Sequence, residues 1–262
     1  MDRLFDLAFV RPPTENYAHC VSTNPDRNLI DVGLARQQHR EYVSILKECG
    51  VEVIELPPLE DFPDSVFMQD PAVLGTTRAV IGRFGEQRRA GEEKIFVREL
   101  SEHKNIVGEI LNVDSPGTLE GGDVIVTDHA IFVGESSRTN REGGRQLAAY
   151  LPGMAVTTVA TGLFHLLCGS AYLTERDMMI ANEMVDPRSF PNFHFIIIPR
   201  EEIYACDALY LGERRVMIPS GFPRTTMKLK QAGYKPIEID VSEFHKGDGG
   251  VTCLSSPVYK IL

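Results

Sequence analysis

AVLGTTRAVIGRF (72–84), DVIVTDHAIFVGE (123–135), AYLTERDMMIANE (171–183) and DALYLGERRVMIP (207–219) are four versions of one pattern. In each, two short apolar runs flank turn residues (TT, TDH, TERD or GER), which predicts a β-hairpin. A fifth pairing is expected between GGVTCL (249–254) and FDLAFV (5–10), closing the chain on itself. The starts recur about every 44 residues, the length scale of a supersecondary repeat.

Helical patterns and further strands fill the gaps between hairpins. VGLARQQHREYVSILKEC (32–49) puts Leu34, Tyr42, Ile45 and Leu46 on one face, Gly50 stops it, and VEVIEL (51–56) reads as a strand. Residues 92–101 read as helix, with a strand near 110–113. Thr139 to Glu142 has the form of a capping box, starting a helix to about Tyr150. AVTTVA (155–160) and KPIEIDV (235–241) read as strands, and 223–233 as helix. The unit is hairpin, helix, strand, used about five times. Such units bury their faces against neighbours, so an α/β propeller is the expected closure. A two-domain doubly wound sheet is the alternative. It ranks lower because the strands come in hairpins and no GxGxxG or Walker loop occurs.

The chain has 262 residues, 27 basic and 37 acidic, for a net charge of −10. Its 43% apolar content suits a globular fold rather than disorder. The acidity argues against nucleic acid and anionic membrane surfaces, and leaves room for a small cationic ligand. Five cysteines with no CxxC spacing predict reduced thiols, no zinc site and a cytoplasmic location. MDRLFDLAFVRPP has none of the form of a signal peptide, and no apolar stretch approaches a membrane span.

Several polar residues stand in apolar or Gly-rich surroundings. FPDSVFMQDP (62–71) holds Asp64, Gln69 and Asp70 around an apolar core, which suits a guanidinium with its planar set of donors. The flanking prolines also suit a plain turn. GTLEGGD (117–123) presents Glu120 at a strand entrance, where glycines allow close backbone approach; Asp123 is expected to satisfy local amides. His165 sits among Leu163, Phe164, Leu166 and Leu167, the usual setting of a core histidine unless a carboxylate and a thiol are its neighbours. Cys253 follows a Gly pair and reads either as a buried structural thiol or as a nucleophile. Cys49 and Cys168 read as structural, and Cys20 as a loop residue open to solvent. Arg88 and Arg138 lie in polar turns, where each reads as a solvated side chain or a carboxylate clamp.

FPDSVF-x-QDP, LEGGD, the LFH segment, GES-x-RTN, GFPRT and DGGVTCLS occur together and in order. In these motifs, from Arg11 to Ser256, the chain resembles the dimethylarginine dimethylaminohydrolases of the guanidino-group-modifying superfamily. The resemblance implies a five-bladed α/β propeller (pentein) forming one domain over residues 1–262. It implies Cys253 as nucleophile, His165 as general acid/base and Glu120 as the carboxylate that orients His165. Asp64 and Asp70 would hold the guanidinium, Arg88 and Arg138 the α-carboxylate, and the loop around His19–Val21 matches the family's lid. The implied reaction takes dimethylarginine to citrulline and dimethylamine through an S-alkylthiouronium on Cys253, with no metal or organic cofactor. The expected partner is a small cationic amino acid, with a homodimer left open.

The family usually reads FVED where this chain reads FMQD. Gln69 offers a donor and removes a charge, so arginine or citrulline stays open as substrate. An amidinotransferase and a non-catalytic propeller are further alternatives. The first is disfavoured by chain length, the second by the co-occurrence of Glu120, His165 and Cys253.

Overall fold

The computed structural model describes residues 3–262; Met1 and Asp2 lie outside the described residues. The chain opens with β1 (Phe5–Val10), α1 (Val32–Glu48) and β2 (Glu52–Glu55). Next come β3 (Ala72–Gly75), β4 (Arg78–Ile81), α2 (Glu92–Glu102), α3 (Lys104–Val107) and β5 (Glu109–Asn112). The third group is β6 (Val124–Val126), β7 (Ala130–Glu135), α4 (Arg141–Tyr150) and β8 (Ala155–Ala160). Then follow β9 (Ser170–Thr174), β10 (Asp177–Ile180) and β11 (His194–Ile197). The last strands are β12 (Leu209–Gly212), β13 (Arg215–Pro219), β14 (Lys235–Ile239) and β15 (Ser255–Tyr259), with α5 (Pro223–Gln231) and α6 (Ser242–His245) between them.

Every unit has the same sheet logic: an antiparallel pair, then a third strand parallel to the second. The pattern holds for β3-β4-β5, β6-β7-β8, β9-β10-β11 and β12-β13-β14. The fifth unit is assembled from both ends of the chain, with β15 antiparallel to β1 and β1 parallel to β2. β15 also pairs with β3, which joins two units into one six-stranded sheet, while the other three remain three-stranded.

All four hairpins read from the sequence are present. The GER turn takes Glu213 and Arg214 into the left-handed region (φ 53° and 64°), which the right-handed twist of a tight hairpin demands. The hairpin strands are almost wholly buried, whereas β2, β5 and β11 alternate between exposed ends and half-buried middles. The third strands are thus the rims. In α1, Asp31 caps the N-terminus by accepting from Leu34 N at 3.0 Å, and Tyr42 and Leu46 are buried. Phe96 of α2 meets Phe9 of β1 edge to face at 6.1 Å, a pairing worth about 0.5–1.5 kcal/mol beyond its buried area.

Three expectations need correction. The terminal pairing exists, but its strand is Ser255–Tyr259, not 249–254; that stretch makes turns ending in a 3₁₀ segment at Thr252–Leu254. The cap of α4 is Asn140, which accepts from Gly143 N at 2.9 Å, because Thr139 Oγ1 is taken by the Glu120 amide. The fourth unit has no α-helix between its second and third strands; Pro187–Ser189 makes only a 3₁₀ turn there. Among the described residues, no helix is long and apolar enough to cross a membrane.

Candidate active site

The chemistry-bearing residues share one place in the repeat: the segment that enters the first strand of each hairpin. Asp64 and Asp70 precede β3, Glu120 precedes β6, His165 precedes β9, Asp207 precedes β12 and Cys253 precedes β15. Several of these entry segments meet in space. There a small cavity is lined by Val21, Asp64, Asp70, Arg89, Arg138 and His165, with Cys253 in its wall.

His165 Nε2 lies 3.0 Å from Glu120 Oε2, and its Nδ1 lies 3.7 Å from Asp70 Oδ1. Gly122 makes this possible, since a Cβ there would fall onto the imidazole. The segment carrying His165 is tied down by Asp123, which accepts from Leu166 N at 2.9 Å and Ser136 Oγ at 2.6 Å. Burial alone would push the imidazole down. The carboxylates of Asp70, Glu120 and Asp123 outweigh it and hold His165 up at about 9. Burial likewise favours a neutral Glu120. The His165 hydrogen bond and the nearby arginines outweigh it and hold Glu120 at about 2. The pair is thus an imidazolium and a carboxylate at neutral pH.

Asp70 and Arg89 form a buried ion pair, and Arg89 is held on its other side by Glu92, with Nη2 at 2.8 Å from Oε2. The guanidinium lies over the Phe84 ring at 4.5 Å. Asp64 accepts from Val21 N through both oxygens, at 3.0 and 3.1 Å, which seats the loop around His19–Val21 against the cavity. Arg138 lies over Phe164 at 4.2 Å, with Nη1 at 3.6 Å from Glu120 Oε1. Two buried atoms around the cavity make no hydrogen bond: Asp70 Oδ1, an acceptor, and Arg138 Nη1, a donor. Orphaned buried polar atoms are costly, and a ligand carrying both a cationic donor and an anionic acceptor would satisfy both.

Cys253 is buried, and burial with the charges of Asp207 and Asp70 pushes its thiol well above the ordinary value. All five cysteines are unpaired. Cys20, read as open to solvent, is instead fully buried, because its loop turns under Gly247.

Two site expectations are corrected. Arg88 points outward, its side chain 65% exposed and paired with Glu86. Its neighbour Arg89 is the buried one, because the 3₁₀ turn at Gln87–Arg89 sends adjacent side chains in different directions. Gln69 does not line the cavity with Asp70. Its Nε2 donates to Gly121 O at 3.2 Å, and it borders a separate apolar cavity with Tyr172, Tyr210 and Tyr259. Sequence reading missed Arg89 and Asp207. For Asp207 a signal existed, since it opens the fourth quoted hairpin at the repeat position where the other units carry site residues.

Asp70, Glu120 and His165 each offer a ligand atom within 4.8 Å of the others, the spacing of a metal cage. The same closeness makes the trio a buried ion-pair network, with His165 between Glu120 and Asp70.

A buried thiol that shares a cavity with the histidine of an imidazolium–carboxylate pair, within an α/β scaffold, marks the class of thiol-dependent enzymes acting on small polar ligands. Residues 22–260 match the family model described as N,N dimethylarginine dimethylhydrolase, eukaryotic. An uncharacterised protein of Aeropyrum pernix is 42% identical over 268 residues, covering 100% of this chain and 98% of that one. The dimethylarginine dimethylaminohydrolase of Pseudomonas aeruginosa is 38% identical over 254 residues, covering 91% of this chain and 98% of the relative. The solved structure of that P. aeruginosa enzyme, a cysteine-to-serine mutant complexed with citrulline, superposes with a TM-score of 0.90 at 36% identity, covering 97% of this chain and 99% of that one. The chain belongs to the dimethylarginine dimethylaminohydrolase family.

Proposed function

We propose that this protein is a cysteine-dependent hydrolase that converts Nω-methylated arginine to citrulline and dimethylamine. What carries this is the pair of buried atoms that make no hydrogen bond, Asp70 Oδ1 and Arg138 Nη1, on residues bordering one cavity with Cys253 and His165. A guanidinium needs the first and an α-carboxylate the second, and dimethylarginine carries both. Its relatives in the family, including the citrulline-bound P. aeruginosa enzyme, support the same substrate.

In this mechanism the carboxylates fix the guanidinium, a poor electrophile, and its charge offsets the acids that keep Cys253 neutral. The thiolate attacks the central carbon. His165, already protonated, gives its proton to the departing amine and leaves an S-alkylthiouronium. The now neutral His165 takes a proton from water, which attacks and releases citrulline. Arg89 replaces Arg88 as the candidate for carboxylate binding, and Glu120 keeps His165 in register. Gln69, the reason for entertaining arginine or citrulline as substrate, faces away from the cavity and so lends those readings little support.

We also infer that the five units stand as five blades around the cavity, in one domain. The common sheet logic and the shared position of the entry segments support this. The functional test is a panel of dimethylarginine, arginine and citrulline assayed for citrulline, ornithine and amine. Citrulline plus dimethylamine from the first is expected; no product from any of them sinks the proposal.

A further inference from the structure

Before it can attack, Cys253 must lose a proton, and His165 is poorly placed to receive it. Its imidazole already carries the proton destined for the leaving amine, with Glu120 on one nitrogen and Asp70 facing the other. A different acceptor touches the thiol. Cys253 Sγ donates to Asp207 Oδ2 at 3.8 Å, a long contact within reach of a thiol donor. The other oxygen of Asp207 accepts from Thr252 N at 2.6 Å and Thr252 Oγ1 at 2.7 Å. Gly250 lies so close to the same carboxylate that a Cβ would fall onto it. Residues 250, 252 and 253 are therefore shaped around a side chain that arrives from 45 positions upstream of Thr252. Asp207 is itself buried, and its oxygens are engaged by this segment.

We propose that Asp207 is a catalytic residue that accepts the proton of Cys253 when a guanidinium fills the cavity, and returns it when the thiolate is expelled. The inference rests on the hydrolase reading above. In the first step the S–H bond breaks, the proton goes to Asp207 Oδ2, and the sulfur electron pair forms the C–S bond. The C–N bond then breaks and the amine leaves with the proton of His165. Water adds with loss of one proton to His165, which restores the imidazolium. Collapse breaks the C–S bond, and the released thiolate takes the proton back from Asp207. The protonated urea loses its extra proton to the amine. Guanidinium and water thus become urea and dialkylammonium, with enzyme charge unchanged over the cycle.

The charged and titratable groups around Cys253 make this order sensible. Asp207, Asp70 and Cys168 bear on the thiol directly, and Asp64, Arg89, Arg138, His165 and Asp248 line the same cavity. In the free enzyme the nearest acids disfavour a thiolate, so the proton stays on sulfur until a cation arrives. Burial raises Asp207 itself to about 6, closer to the working range of a general base than an exposed carboxylate.

The test compares Asp207→Asn and Asp207→Glu with wild type in the full chain. Asparagine keeps an acceptor for Thr252 but none for the thiol proton. General-base loss predicts a kcat reduced about 100-fold or more, with KM changed by less than about threefold. In the same variant, the pH midpoint for alkylation of Cys253 by iodoacetamide without substrate is expected to fall by about one unit or more, because a like charge is gone. The Asp207→Glu enzyme is expected to recover about tenfold of the lost kcat, which a mere packing defect would not give. A kcat for Asp207→Asn within about threefold of wild type overturns the proposal, as does an unmoved alkylation midpoint. Should Asp207→Asn fail to fold, Asp207→Glu decides alone: a pH profile of kcat identical to wild type refutes the role. If wild type turns over no guanidino compound, the hydrolase reading falls, while the alkylation midpoint still reports whether Asp207 governs the thiol.

Discussion

Glu120 Oε2 stands 3.0 Å from His165 Nε2, joining the entry segments of two successive repeat units 45 residues apart. The imidazole is held charged by three carboxylates rather than by solvent, and that has consequences for pH. For His165, raised from 6.5 to about 9, the stabilisation is complete below 6.5 and is lost as pH rises through about 9. For Glu120, lowered from 4.5 to about 2, it is present above 4.5 and is lost as pH falls through about 2. The denaturant midpoint of wild type should therefore fall between pH 6.5 and about 9. In Glu120→Gln the imidazole loses a partner, so that fall should be smaller and end at lower pH, and the alkaline limb of kcat should begin at lower pH. Identical alkaline limbs in the two proteins would refute the assignment.

Replacing Cys253 by serine should abolish turnover without unfolding the chain. The change is nearly isosteric in a buried site, and a hydroxyl is far harder to ionise. Citrulline formation should drop by about 10³-fold or more, while the thermal midpoint stays within a few degrees. Retained activity removes Cys253 from the chemistry.

Arg88 and Arg89 are adjacent but should behave oppositely. Arg89→Ala strands Asp70 and Glu92 as buried carboxylates, a loss of about 3–5 kcal/mol, and should lower kcat/KM by about 100-fold. Arg88→Ala removes an exposed pair with Glu86 and should change stability by no more than about 0.5 kcal/mol. Urea unfolding and steady-state kinetics on both variants distinguish them.

Gln69→Glu tests the departure from the family motif. A carboxylate cannot donate to Gly121 O, so the change should cost about 1–3 kcal/mol of stability. The KM for dimethylarginine should stay within about twofold, since the side chain faces away from the cavity. A several-fold rise in dimethylarginine turnover would show that position 69 tunes selectivity.

Some of this was legible in the chain before folding. Alternating apolar runs around turn residues marked the four hairpins because strand periodicity is local. The limits of α1 and the whole of β8 followed from equally local signals. The helix missing from the fourth unit was not legible, since a repeat read from hairpins carries no information about what links them. The site motifs pointed to Cys253, His165, Asp64 and Asp70, which the fold brings around one cavity, and to Glu120, which stands behind His165.

By itself, then, the sequence determined the repeating unit and the residue types delivered at the unit entrances. Only tertiary structure decided which of two neighbours turned inward: Arg89 over Arg88, and Asp70 over Gln69. Side chains in 3₁₀ turns and loops follow no fixed period, so their direction is set by what packs against them. The same holds for Asp207, whose contact with Cys253 spans 46 positions and exists only because two hairpin units meet at the nucleophile.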